Sequence, residues 1–229
     1  MNVAIIPARA GSKRIPKKNI KKFQGMPIFY WPLIAAKKTN LFDKIILSTD
    51  SKLIAKIGKK YNMDVPFIRP KNISGDHAST SSVISHAIRW LRNNNVNPKF
   101  ICCIYPTAAY LNPKDLITGY KKIKKNKWDY VFSGGRFNSS IFRSFKKNRF
   151  NGLKMLFSKY YNKRTQDIFD TYHDAGQFYW GKKNEFLEFK NIFRSKKVKG
   201  YIIPNYRVRD IDTYDDVKIS NLIFKYIKK

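Results

Sequence analysis

Residues 9–18 read Arg-Ala-Gly-Ser-Lys-Arg-Ile-Pro-Lys-Lys, so Arg9, Lys13, Arg14, Lys17 and Lys18 gather around a turn of small residues, Ala10, Gly11 and Ser12. Small side chains let backbone N–H groups come close to a ligand, and the cations add positive charge. The chemistry that such a loop suits is phosphate binding. The apolar run Val-Ala-Ile-Ile at residues 3–6 precedes it and ends at Pro7. That run is long enough for a buried strand and too short for a helix. A strand feeding a small-residue loop is how many α/β proteins hold phosphates. The loop matches neither G-x-G-x-x-G nor G-x-x-x-x-G-K-[ST]. Taken alone, it is read equally well as a solvated basic surface.

A second group of candidates stands near the other end of the chain. Acids are scarce, 15 against 47 Lys and Arg, so places where they gather call for an explanation. They gather at Asp210 and Asp212, with Asp215 and Asp216 beyond. On an extended segment Asp210 and Asp212 face one side while Ile211 turns to the core. Two such carboxylates suit Mg²⁺, which takes one or two protein carboxylates and completes its shell from water and phosphate. The alternative for acids before a terminal helix is capping. Thr213, Asp215 and Asp216 are assigned to the cap, and Asp210 and Asp212 to the metal. A third group follows Arg164: His173, Asp174 and Gln177 crowd around Gly176. These suit a polar substrate, although a lone histidine is as often structural and a lone strand glutamine more often surface.

The elements that must position these groups alternate. Strands are predicted at residues 3–6, 44–48, 65–68, 100–105 and 130–133. Helices are predicted at 28–38, with Pro32 in its first turn, at 51–61, 83–92 and 113–124. Strand–helix alternation predicts a parallel, doubly wound sheet. In such a sheet ligands bind outside the carboxyl ends of the strands. Those ends carry residues 9–13, 48–50, Arg69 and 105–107, so four polar clusters converge on one edge. From Gly134 the rhythm breaks into turns and short aromatic pieces, which predicts a mixed insertion. A strand at 177–180, a short helix at 183–189, a strand at 198–203 and a terminal helix at 214–228 complete the chain.

The net charge of +32 raises nucleic-acid or membrane binding as possibilities. Lys dominates over Arg, however, and is spread over nearly every predicted surface segment. No RNP-like aromatic motif, zinc pattern or long basic arm is present. The charge is read as a solvated surface, with no specific nucleic-acid partner. The longest uncharged apolar run, residues 29–36, contains Pro32 and is far short of a membrane span. No secretory segment opens the sequence. Cys102 and Cys103 are adjacent, and on a strand they point to opposite faces, which disfavours a mutual disulfide. A cytoplasmic protein with no membrane partner is expected.

The motifs run in the order of a known family. They are residues 6–19 (Ile-Pro-Ala-Arg-Ala-Gly-Ser-Lys-Arg-Ile-Pro-Lys-Lys-Asn), 48–50 (Ser-Thr-Asp), 68–70 (Ile-Arg-Pro), 105–107 (Tyr-Pro-Thr), 173–181 (His-Asp-Ala-Gly-Gln-Phe-Tyr-Trp-Gly) and 210–213 (Asp-Ile-Asp-Thr). Over nearly its whole length the chain resembles the CMP-sialic acid synthetase family, the cytidylyltransferases that activate nonulosonic acids. The first and last motifs together are specific to the family, and the 173–181 run points to its pseudaminate branch. Ala10 stands where the family often has Gly, a change that a small side chain should tolerate.

The resemblance implies a Rossmann-like, doubly wound, mostly parallel sheet of the nucleotide-diphospho-sugar transferase type. It implies one domain over residues 1–229, with an inserted segment at about 136–172. The implied reaction joins CTP and a nonulosonic acid into a CMP-sugar, releasing pyrophosphate. In that role Ala8, Arg9, Gly11, Ser12, Lys13, Lys18, Asn19, Arg69, Ser79 and Thr80 hold the nucleotide. Tyr105, Pro106, Thr107, Arg164, His173, Asp174 and Gln177 line the sugar pocket. Asp210 and Asp212 hold Mg²⁺, and Arg9, Lys13 and Asp212 lie nearest the chemistry. The base is open between Asp212 and a metal-bound water. The family forms homodimers in which the inserted segment reaches the neighbouring site. Alternatives are the same reaction on legionaminate, N-acetylneuraminate or 3-deoxy-manno-octulosonate, or a polyanion- or nucleic-acid-binding protein.

Overall fold

The computed structural model describes residues 1–188 and 192–227. Its centre is β1 (Asn2–Pro7), in which Val3, Ala4, Ile5 and Ile6 have no exposed surface. Val3 and Ile5 pack into one apolar layer, while Ala4 and Ile6 pack into the other. Burial on both faces is what a parallel sheet between two helix layers requires. Each of the larger of these side chains contributes on the order of 1.5–3 kcal/mol relative to an exposed one.

After β1 come a small hairpin, β2 (Lys22–Phe23) and β3 (Met26–Pro27), and helix α1 (Tyr30–Lys37). Then follow β4 (Lys44–Ser48), α2 (Lys52–Lys60), α3 (Thr80–Asn93), β5 (Phe100–Ile104), α4 (Pro113–Lys124) and β6 (Tyr130–Arg136). A second hairpin, β7 (Phe145–Lys147) and β8 (Leu153–Met155), leads to β9 (Tyr172–Lys182), α5 (Lys183–Glu188), β10 (Val198–Ile202) and α6 (Tyr214–Ile227). The main sheet has the order β10-β6-β9-β5-β1-β4. Its pairings are parallel except those of β9, which runs antiparallel to both β5 and β6. The chain lays β4 on one side of β1 and then crosses to place β5 on the other. The carboxyl end of β1 is therefore the point where the winding reverses, and a crevice opens there.

Local signals account for the helix starts. Ser51 caps α2 by accepting from the Ile54 N–H, Ser79 caps α3 by accepting from Ser82, and Asn112 caps α4 ahead of Pro113. Several elements differ from the sequence reading. Residues 65–68 form no ladder, only isolated parallel bridges of Ile46 with Asp64 and Thr49 with Ile68. Pro66 has no N–H with which to continue one. Helix α1 starts at Tyr30 rather than residue 28, with Pro32 in its first turn. The strand read at 177–180 is the middle of the 11-residue β9. The predicted ends at residues 189 and 228 lie outside the described residues.

Cys102 and Cys103 are free and buried in opposite layers. A third apolar cluster lies beside the sheet. It joins Ile15 of the first loop, Phe23, Ile28, Tyr110, Ile211 and Phe224 of α6. Ile15 and Ile211 are 1% exposed each, so this cluster ties the basic loop to the segment carrying Asp210 and Asp212. Between β6 and β9, Phe142 packs on Phe157, Tyr160 and Phe169 at centroid distances of 5.3, 4.6 and 4.8 Å. Phe145, Phe150, Leu153 and Tyr161 of the same segment are exposed. Among the described residues no helix is long and apolar enough to cross a membrane.

Candidate active site

A cleft of about 640 Å³ opens at the carboxyl end of β1. Pro7, Arg9, Ser12, Lys13, Arg14, Lys18 and Asn19 form one wall, and Arg69, Ser74, Asp76 and Thr80 a second. Tyr105, Pro106 and Thr107, which follow β5, close the floor, and Asp212 reaches in from the far end of the sequence. Five cations thus face two carboxylates among the described lining residues.

The loop is anchored by its neighbours as well as by its own turns, in which the Ser12 N–H donates to the Ala10 carbonyl and the Lys18 N–H to the Ile15 carbonyl. The Ala8 N–H donates to the Ser48 carbonyl at 2.9 Å and the Ala10 N–H to Asp50 Oδ1 at 2.8 Å. Buried Asn19 donates to the Arg9 carbonyl at 2.9 Å. Arg69, only 4% exposed, donates to the Ser48 carbonyl at 3.3 Å and to Ser74 Oγ at 3.1 Å. Burial lowers its pKa, an effect that nearby Asp50 partly offsets.

Two carboxylates organise the remaining cations. Arg9 and Lys13 converge on Asp76 at 2.7 and 2.6 Å. Arg14 and Lys18 converge on Asp212 at 2.7 and 2.8 Å. Hydrogen bonds from Lys13 and then Arg9 lower the Asp76 pKa. Burial alone would raise that of Asp212, but Lys18 and Arg14 outweigh it and the net shift is downward. These pairs are partly exposed, so each holds its partners only weakly in water. A polyphosphate offers several oxygens to the same fork and ammonium donors and competes well for them.

Asp216 resolves the two roles open to the terminal acids. It accepts from the Thr213 N–H at 2.7 Å while its own N–H donates to Thr213 Oγ1 at 3.1 Å, a capping box at the start of α6. Asp215 is exposed and, among the described residues, pairs with Lys218 at 3.6 Å. Asp210 and Asp212 take no part as side chains in the cap. No described residue forms a hydrogen bond or salt bridge with the Asp210 carboxylate. Desolvation first, then Asp212 and Asp174, raise its pKa. Gly176 makes room for it: its φ is +60°, and an added Cβ would lie 2.9 Å from Asp210 Oδ1.

A pH prediction follows from Asp210. A raised folded-state pKa means that the charged form costs stability at neutral pH. The cost disappears as pH falls through that pKa towards the unfolded value of about 3.9. Asp210→Asn should therefore raise the melting temperature at pH 7, with the gain closing in acid. A variant less stable than wild type at pH 7 would contradict this account of burial first and like charge second.

The sequence candidates divide by position. Arg9, Ser12, Lys13, Lys18, Asn19, Arg69, Thr80, Tyr105, Pro106, Thr107 and Asp212 share the cleft. Ala8 is buried beneath the loop and Gly11 is exposed within it. Ser79 caps α3 and faces the neighbouring groove. His173 and Asp174 lie on β9 outside the cleft lining, with His173 against Phe137 at 4.7 Å. Gln177 is 1% exposed and donates to the Arg207 carbonyl at 2.6 Å, inside the core. Arg164 is exposed in the segment between β8 and β9. Sequence reasoning passed over Asp76 and Ser74 as site residues, and named Arg14 among the loop cations without assigning it to the nucleotide. The scarcity of acids was the signal that marked Asp76: a lone acid in a hydroxyl-rich loop of a very basic chain.

Comparison with known proteins decides the family. The family model described as cytidylyltransferase matches residues 3–218. The chain belongs to the cytidylyltransferase family. It is a nucleotidyltransferase, and its mostly parallel sheet is the fold that goes with that activity. It is 38% identical to the pseudaminic acid cytidylyltransferase of Campylobacter jejuni subsp. jejuni serotype O:2, over 98% of this chain and 96% of that one. It is 33% identical to N-acylneuraminate cytidylyltransferase A of Danio rerio, over 99% of this chain and 52% of that one. The structure of a CMP:2-keto-3-deoxy-manno-octonic acid synthetase superposes with a TM-score of 0.72, covering 99% of each chain at 12% identity, and so shares the fold.

Proposed function

We propose that this cytidylyltransferase transfers the CMP group of CTP to the anomeric hydroxyl of pseudaminic acid, with release of pyrophosphate. The observation that carries the reading is the cleft itself: Arg9, Lys13, Arg14 and Lys18 converge at the winding-reversal point of the sheet, opposite a carboxylate from the far end of the chain. The choice of sugar rests on the full-length likeness to the Campylobacter jejuni enzyme.

Attack on the α-phosphorus needs charge neutralisation and in-line positioning more than covalent help. Arg9 and Lys13 hold the phosphates from one side, and Arg14 and Lys18 from the other. Ser12, with backbone N–H groups around Gly11, completes the cradle. Asn19, Arg69 and Thr80 offer donors and acceptors to ribose and cytosine, with Ala8 and Ser79 fixing the loop and helix that carry them. Tyr105, Pro106 and Thr107 form the floor on which the sugar rests. His173, Asp174 and Gln177 shape the wall behind it, and Arg164 supplies a cation for the sugar carboxylate.

Asp210 and Asp212 are hard oxygen donors, and crowded like charges such as theirs are relieved by a divalent cation. That chemistry fits Mg²⁺, with phosphate and water completing its shell. The described residues contain no cluster of three or more His, Cys, Asp or Glu side chains, so the pair could not cage the ion alone. When bound, the ion neutralises developing phosphate charge. The exposed aromatic surface of residues 137–161 is proposed as the contact in a homodimer, and the cytoplasm as the place of action.

The test is a pyrophosphate-release assay over a panel of sugar acids with CTP or UTP. Turnover should be fastest with pseudaminic acid and CTP. Faster turnover with legionaminate, N-acetylneuraminate or 3-deoxy-manno-octulosonate would replace the sugar assignment. Equal rates with UTP would overturn the base-reading assignment.

A further inference from the structure

The loop cations fall into two pairs, each closed by a carboxylate. Arg14 and Lys18 meet Asp212, which is assigned to the divalent ion. Arg9 and Lys13 meet Asp76, which has no such assignment. Acids are scarce in this chain, 15 against 47 Lys and Arg, so an aspartate among phosphate-binding cations calls for a purpose. Helix capping is not that purpose, because the cap of α3 is Ser79.

Asp76 divides its oxygens between the two cations, Oδ1 to Arg9 at 2.7 Å and Oδ2 to Lys13 at 2.6 Å. A phosphate group would engage the same donors in the same way. The two hydrogen bonds lower the Asp76 pKa, so it stays an anion at neutral pH. The turn that carries it is fixed at both ends. Ser74 donates to the Pro70 carbonyl at 2.8 Å and accepts from Arg69, and Ser79 opens α3. Between these anchors the Ala78 N–H donates to the Gly75 carbonyl at 3.2 Å, while Gly75 and Asp76 are exposed. The carboxylate can therefore leave the cations and rejoin them by side-chain rotation on a firm base. Its hold is weak, because the Lys13 side chain is 84% exposed. A weak internal anion does not keep a triphosphate out, but it lowers the net affinity of any phosphate group that needs Arg9 and Lys13.

We propose that Asp76 promotes pyrophosphate release by competing with the product for Arg9 and Lys13. The cations that stabilise the departing phosphates also retard their escape, and product release limits turnover in many enzymes. Asp76 retakes Arg9 and Lys13 as the pyrophosphate moves off. It makes and breaks no covalent bond. The inference rests on the transfer reaction proposed above and concerns the product of that reaction.

The experiment is calorimetric titration of the full chain with pyrophosphate or with CMP, in Mg²⁺. Asp76→Asn should bind pyrophosphate on the order of fivefold more tightly than wild type, the scale of losing two exposed competing ion pairs. CMP, which lacks the outer phosphates, should bind unchanged. In a Lys13→Ala background the gain from Asp76→Asn should shrink to about twofold or less, because half of the competition is already gone. Pyrophosphate binding that is unchanged, weakened or undetectable in Asp76→Asn would overturn the proposal. So would a gain of equal size for CMP or in the Lys13→Ala background, which would mark simple charge repulsion. The titration needs no turnover. Protein that shows the expected shifts yet turns over no sugar acid of the panel would remove the proposed reaction and leave the competition standing, so the two failures are distinct.

Discussion

Asp212→Asn should lower turnover on the order of 1,000-fold while leaving the fold intact. The side chain organises Lys18 and Arg14 at 2.8 and 2.7 Å and is one of the two carboxylates assigned to the divalent ion. Losing one preorganised charge at developing phosphate charge costs roughly 100- to 1,000-fold, and a metal contact adds to that. The fold is spared because the Asp212 backbone N–H donates to Asp216 Oδ2 at 3.1 Å, a bond that the substitution does not touch. Asp216→Ala is the matching contrast. It removes the capping box of α6 and should cost about 1 kcal/mol of stability with a small effect on turnover. If the two variants exchanged phenotypes, Asp212 losing stability and Asp216 losing rate, the division of this acidic segment into site and cap would be wrong.

The largest stability effect is expected at Asp115. This residue of α4 is 2% exposed and holds Arg207 in a paired, buried contact, while the Tyr201 hydroxyl donates to it at 3.1 Å. Burial alone would lower the Arg207 pKa, but its bond to Asp115 outweighs that and the net shift is upward. Asp115→Ala leaves a guanidinium in the core without its counter-charge, which costs about 3–5 kcal/mol. For a chain of this size that is a fall in melting temperature on the order of 10 °C. Replacing both residues, as in Asp115→Leu with Arg207→Met, should recover much of the loss, because no uncompensated charge remains. A single variant melting within a degree of wild type would contradict the buried-pair account. Arg207 stands three residues before Asp210, and its carbonyl accepts from Gln177, so the same contact steadies the acidic segment.

The legible parts of this protein were those set by short-range rules. The run at residues 3–6 had to be buried on both faces, and Ser51 and Pro113 marked helix starts. The Asp210-Ile211-Asp212 alternation placed Ile211 in the core and the acids outward, and the structure shows Ile211 1% exposed. What was not legible depends on which distant segments meet. Nothing in residues 172–182 says that they enter between β5 and β6 and run antiparallel to both. Gln177 looked like a surface or substrate-facing amide because alternation alone does not reveal a core partner such as the Arg207 carbonyl. The pairing of Asp76 with Arg9 and Lys13 spans more than sixty residues of sequence and needs the closed sheet to exist. Local pattern over-reached at residues 65–68, where an apolar run contains a proline that cannot donate.

The central claim is that the cations around Arg9 and the carboxylate of Asp212 act on one triphosphate together with a sugar acid. Its most direct test is the stoichiometry of pyrophosphate release by the purified chain with Mg²⁺. The account predicts one pyrophosphate for each CMP-sugar formed, appearing only when CTP and pseudaminic acid are both present. Release from CTP alone, or none with any nonulosonic acid, would contradict it.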